Sequence, residues 1–145
     1  MTKKLFALLI TLTVVSTSSL FADWVVPASS LPQKSRTFIQ RIYPGVKIWK
    51  VERDDGKYEV KLSNGASIDF LANGNWHSID GEYNGVPFSA LPQAISGTIR
   101  RAYPKARVID VEKEWWNYKV KLNNMMELYI SANGQLMGQN WDDQL

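Results

Sequence analysis

Cysteine is absent from the 145 residues, and histidine occurs once, at position 77. The first absence excludes a disulfide staple, a thiol nucleophile, a thiolate metal site and a bacterial lipid anchor on cysteine. The second excludes the paired-histidine motifs that hold catalytic zinc, so a metal site would have to be built from carboxylates. His77 stands alone on a short strand, where a packed or solvated side chain is the ordinary reading. No glycine-rich phosphate loop and no Gly-x-Ser-x-Gly nucleophile elbow is present. No cofactor is implied.

Charge of one sign is also missing. Lys3 and Lys4 precede an apolar run from Leu5 to Val15, broken only by threonines, and a small, polar stretch from Ser16 to Ala22 follows. This is the pattern of a secretory signal peptide, residues 1–22, cleaved after Ala22. The apolar run is too short for a membrane span, which needs roughly 20 residues. Removal of the leader leaves residues 23–145 with 15 basic and 14 acidic groups. That balance gives no support for nucleic-acid binding. No other segment is apolar enough to span a membrane. The expected location is periplasmic or secreted, and without disulfides the apolar core alone must hold one domain together.

What the chain does have is a repeat. Residues 31–80 and 91–140 align without a gap, with 17 of 50 positions identical. Leu31-Pro32-Gln33 recurs as Leu91-Pro92-Gln93, Tyr43-Pro44 as Tyr103-Pro104, and Val51-Glu52 as Val111-Glu112. Tyr58-x-Val60-Lys61-Leu62 recurs as Tyr118-x-Val120-Lys121-Leu122, and Ala72-Asn73-Gly74 as Ala132-Asn133-Gly134. Internal repetition fixes architecture before any other signal does. Each repeat opens with a helix. Leu31, Ser35, Phe38, Ile39 and Ile42 recur at the helical period, as do Leu91, Ile95, Ile99 and Ala102. Ser30 is placed to cap, Pro32 suits the first turn, and both helices should stop at the tyrosine before proline. Strands follow at Val46–Arg53, around Tyr58–Leu62, at Ile68–Phe70 and at Asn75–Ile79, with counterparts in the second repeat. Asn64-Gly65 reads as a two-residue type I′ turn, with Asn123-Asn124 in the matching place. Ile48 and Val51 both face the core only if a bulge lies between them. Gly81–Phe88 links the repeats. The expectation is an α+β fold: a tandem repeat of helix plus four antiparallel strands, two helices packed on one face of a sheet of about eight strands.

The helix ending in Tyr-Pro, the Val-Glu strand, Tyr-x-Val-x-Leu and the closing Ala-Asn-Gly, all present twice, resemble the PepSY-like family of exported bacterial proteins. That family is related in fold to the beta-lactamase inhibitor protein, and the resemblance covers residues 31–140. It implies a non-catalytic periplasmic or secreted protein of tandem helix-plus-four-strand units that binds or inhibits another protein.

The residues suggest where a partner would bind. Trp115-Trp116 occupies the hairpin where the first repeat has only Asp55-Gly56, so the turn itself does not need either ring. Adjacent residues on a strand point to opposite faces, so the two indoles cannot both enter one core. Tryptophan is enriched where binding energy is concentrated. The strand alternation sends a second set away from the core: Lys61, Asp69, Lys121, Glu127 and Tyr129, with Trp49 joining them. Asp54-Asp55-Gly56 reads as a hairpin turn rather than a calcium loop. Arg41 and Glu52 recur as Arg101 and Glu112, which suits a helix-to-sheet ion pair. The leading expectation is a protein-binding module, an inhibitor among its possible uses, acting on an unidentified protein partner through the open sheet face and hairpin loops. The alternative is a structural or envelope-associated protein with no specific ligand. An enzyme using surface carboxylates is a third reading, to which no particular pair of residues points.

Overall fold

A computed structural model describes residues 24–142; the expected signal peptide lies outside the described residues. Nine strands form one sheet in strict chain order, every neighbouring pair antiparallel. They are β1 (Trp24–Val25), β2 (Ile48–Asp54), β3 (Lys57–Leu62), β4 (Ser67–Phe70), β5 (Trp76–Asp80), β6 (Val108–Lys113), β7 (Asn117–Leu122), β8 (Met126–Ser131) and β9 (Leu136–Trp141). Helix α1 (Gln33–Ile42) precedes β2 and α2 (Gln93–Ala102) precedes β6. The eight expected strands are present; the ninth, β1, has two residues, too few to show a period.

The core is a row that runs straight across the sheet. Val51, Val60, Ile68, Ile79, Val111, Val120 and Leu128 oppose one another on successive strands. None is more than 2% exposed. Ile39, Ile42, Ile95 and Ile99 of the two helices cover this row, joined by Leu62, Phe70, Leu122 and Ile130. Phe38 stacks on Trp76 at 6.1 Å between centroids and meets Phe70 edge-on at the same distance, a geometry that adds about 0.5–1.5 kcal/mol per pair beyond area burial.

Both helices stop where proline dictates, with Tyr43 and Tyr103 as the last caps. Their starts differ from expectation. Pro32 and Pro92 occupy the N-cap positions, no side chain caps either helix, and Ser30 belongs to a preceding 3-10 turn. The bulge required by Ile48 and Val51 is present at Trp49, and the second repeat has its own at Ile109. Further shifts of register fall at His77 and at its counterpart Met137.

The turn at Asn64-Gly65 is not a two-residue type I′ turn. Gly65 alone has positive φ, its N–H bonds the Leu62 carbonyl at 3.1 Å, and Leu62 N–H bonds the Ala66 carbonyl at 2.8 Å. This is a three-residue loop closing on a left-handed residue. In the second repeat that position is Met125, at φ 68, rather than Asn123 or Asn124. Asp55 and Gly56, both at positive φ, do form the tight hairpin turn expected of them. Gly134 has two reasons to be glycine: its φ is +92, and a Cβ there would lie 2.8 Å from the Ala94 carbonyl oxygen of α2.

The expected ion pair between Arg41 and Glu52 does not form. Glu52 lies on the sheet face away from the helices, where Lys50 holds it at 2.6 Å. Arg41 instead donates to the Ser89 carbonyl at 2.9 Å and lies over the Phe38 ring.

Candidate functional site

With both helices on one face, no helix among the described residues covers the other face of the sheet, and antiparallel sheets commonly have one wet side. The register sorts its side chains into rows. One row runs Val25, Glu52, Glu59, Asp69, Ser78, Glu112, Lys119, Tyr129 and Gly138, crossing all nine strands. The next runs Lys50, Lys61, Ser67, Asp80, Asp110, Lys121, Glu127 and Asn140. Lysines therefore flank a centre that is acidic: β4, β5 and β6 contribute Asp69, Asp80, Asp110 and Glu112 to these two rows and no lysine.

The flanks are knitted by ion pairs. Lys61 holds Glu59 at 3.3 Å, Lys119 holds Glu127 at 3.8 Å, and Lys121 holds Asp142 at 2.5 Å. That last bond raises the Lys121 ammonium above its ordinary range. Tyr129 donates its hydroxyl to Glu127, and the same bond raises the phenol. Toward the centre, Ser78 donates to Asp69 at 2.8 Å and His77 lies 3.8 Å from Glu112. Asp110 is pushed up to about 6, first by burial and then by the charges of Asp80 opposite it and Glu112 two residues along its own strand, against the pull of Lys119 and Lys121.

Two concavities follow. A basin of about 630 Å³ lies over β5–β8, with Asp80, Asp110, Lys121 and Glu127 among its lining; Tyr83 and Arg107 also border it. A groove of about 740 Å³ lies at the β6–β7 hairpin, bounded by Trp76, His77, Glu112, Lys113, Trp115 and Trp116. Lys113 sits 3.8 Å from the centroid of the buried Trp76 ring. Burial, and then Lys34, lower its ammonium. Trp115 and Trp116 are 93% and 81% exposed, so both rings face water.

The sequence-expected residues thus divide three ways. Lys121 and Glu127 meet in the basin and Tyr129 bonds to it through Glu127. Lys61 and Asp69 share their rows but lie on β3 and β4, several strands away. Trp115 and Trp116 stand apart at the hairpin groove. Trp49 is the bulge residue of β2, 71% exposed, with Lys50 near its ring. Sequence reasoning missed Asp80, Asp110, Tyr83 and Arg107. Asp80 aligns with Asn140, and Asp110 with Lys50, so a mismatch of charge between the repeats was the available signal. Tyr83, 92% exposed, lies on a 3-10 turn of the linker, where no periodicity marks it. Among the described residues no three of His, Asp and Glu converge as a metal site would require, and no helix is long and apolar enough to cross a membrane.

The family model described as "Putative beta-lactamase-inhibitor-like, PepSY-like" matches residues 22–68 and 56–138. No curated protein matches the sequence. Solved structures do. A "putative periplasmic protein" from Bacteroides vulgatus is 26% identical, with a TM-score of 0.77 over 82% of this chain and 97% of its own. A "putative calcium-regulated periplasmic protein" from Bacteroides thetaiotaomicron is 29% identical, with a TM-score of 0.76 over 81% of this chain and 96% of its own. A second B. vulgatus protein, described as a "putative periplasmic protein of unknown function", is 27% identical, with a TM-score of 0.73 over 81% of this chain and 98% of its own.

Proposed function

This chain belongs to the PepSY-like family and is, like its solved relatives, a periplasmic protein; from that premise we propose that its mature part, residues 23–145, is a non-catalytic protein-binding module. It takes a protein partner across the open sheet face and the Trp115–Trp116 hairpin. The inhibitor-like description of the family supports a use in which binding blocks the partner.

The observation that carries this reading is the double exposure of Trp115 and Trp116 on a turn whose counterpart is closed by Asp55-Gly56 alone. A tryptophan buries about 150–250 Å². At about 25 cal/mol per Å² each ring offers about 4–6 kcal/mol on burial. Association costs about 4–15 kcal/mol in lost freedom, so the two rings need support from surrounding surface. The hairpin groove supplies apolar walls, and the ion-paired rows of the open face supply orientation and selectivity more than raw affinity. The face residues proposed to take part are Trp49, Lys61, Asp69, Lys121, Glu127 and Tyr129.

Calcium regulation, which belongs to the name of the B. thetaiotaomicron relative, is not part of the proposal. Asp54-Asp55-Gly56 is spent on a tight hairpin. The test is capture from periplasmic extract, followed by titration of the captured protein against the parent and against Trp115→Asp/Trp116→Gly. A saturable partner that the double variant binds more weakly supports the proposal. No saturable partner at all favours a structural or envelope-associated protein with no specific ligand.

A further inference from the structure

We infer that the outer edge of β9 is a self-association site, at which two copies of this chain pair antiparallel about a two-fold axis and join their sheets. β9 is the last strand of the meander, so among the described residues no strand lies along the outer side of its backbone. A row of unpaired N–H and C=O groups is a template for another strand, and natural edges are blunted by brevity, proline, bulges or charge, lysine above all. The opposite edge is blunted in other ways: β1 is two residues long, and the part of β2 that it leaves uncovered carries the bulge at Trp49 and the charge of Lys50. β9 runs Leu-Met-Gly-Gln-Asn-Trp, without charge and without proline. Its one bulge, at Met137, falls near its start, and Gly138–Trp141 stay in unbroken register with β8. Met137 and Trp141 are left 55% and 63% exposed.

Charge and length choose the occupant. Two-fold pairing sets β9 beside itself, so any charge on it would meet its own copy; this strand carries none. The nearest ionised side chain inward is Glu127 of β8, opposite Asn140. Three strand spacings of about 4.8 Å keep the two Glu127 carboxylates at least about 14 Å apart, beyond the screening length of about 8 Å at physiological salt. Asp142, just past the strand, is held at 2.5 Å by Lys121 of its own chain. Head-to-tail pairing of β9 on β1 would propagate into a filament, but β1 offers two residues where β9 offers itself in full. The closed pair is therefore favoured. It covers Trp141 on the helix side and continues the open face from one copy into the next.

The experiment is sedimentation equilibrium of protein purified from the periplasm, from low micromolar to millimolar concentration. The parent is expected to pass from one chain to two. Asn140 is exposed on the open face, and a two-fold axis near Gln139 or Asn140 brings its two copies close together. Asn140→Lys and Asn140→Glu should each weaken self-association by at least about tenfold, since like charges then oppose across the pair. An equal mixture of the two should associate again, and thermal melting should show both variants folded. A parent that stays monomeric at millimolar concentration overturns the inference. So does self-association that neither variant weakens, or a loss that mixing does not restore.

Discussion

Asp80 and Asp110 stand directly opposite each other where the last strand of the first repeat pairs with the first strand of the second. The counterparts of these residues in the other repeat are Asn140 and Lys50, so the repeat itself does not dictate this pair. The duplication made two similar halves, and the seam between them sets these two carboxylates against each other on the open face. Burial, and then the carboxylates of Asp80 and Glu112, raise Asp110 to about 6.

That shift makes stability depend on pH in a definite direction. Native Asp110 binds its proton more tightly than the unfolded chain, where 3.8 applies. Its stabilising contribution is therefore fully present below about pH 4 and is lost as pH rises through about 6. Asp110→Asn removes the charge and keeps the shape. Two pKa units correspond to about 2.7 kcal/mol, which solvent screening of this half-buried group trims to about 1–2 kcal/mol. Denaturant unfolding should find the variant more stable than the parent by that amount at pH 7 and level with it below pH 4. An equal difference at both pH values would contradict the assignment.

Met125 occupies the left-handed position that Gly65 fills in the first repeat. A side chain there costs about 1–2 kcal/mol, against the greater chain entropy that glycine loses on folding. Met125→Gly should raise stability by about 0.5–1 kcal/mol, read as a shift in the denaturant midpoint at unchanged slope. A loss of stability would mean that the half-buried Met125 side chain contributes more by packing than its backbone costs.

Leu62 and Leu122 are equivalent residues of the two repeats, 3% and 0% exposed beneath the helices. Truncation of either to alanine should cost about 2–5 kcal/mol through lost burial and an unfilled cavity. Matched melts of the two variants check whether the halves contribute alike. A change under about 0.5 kcal/mol for either would contradict its place in the core.

These residues also show what could be read without coordinates. Leu62, Val60 and Tyr58 alternate with charged neighbours, so strand period alone sent them inward. The clash of Ile48 with Val51 announced a bulge, because one extra residue is the ordinary way for both to reach the same face. The Tyr-Pro stops marked both helix ends through local sterics. The misses involve relations that no local pattern carries. Arg41 and Glu52 recur together, yet recurrence cannot say that the sheet lies between them. Asp80 meets Asp110 only through the pairing of β5 with β6, after a linker has been crossed. At Asn64-Gly65 the dipeptide suits two turn types, and the partner chosen by Leu62 N–H decides between them. For the candidate site, alternation found the open-face residues, and the repeat comparison found the tryptophans by their absence from the first half. Tyr83 stayed hidden on the linker turn, where neither signal operates.

The central claim is that Trp115 and Trp116 are exposed for a partner rather than for the fold. The most direct measurement pairs thermal unfolding with titration calorimetry on Trp115→Asp/Trp116→Gly, using the protein captured from periplasmic extract as titrant. Unfolding should match the parent within about 0.5 kcal/mol, as expected at exposed sites, and binding should weaken by at least about 2 kcal/mol, the scale of an interface hot spot. Unchanged affinity, or a large loss of stability, would contradict the claim.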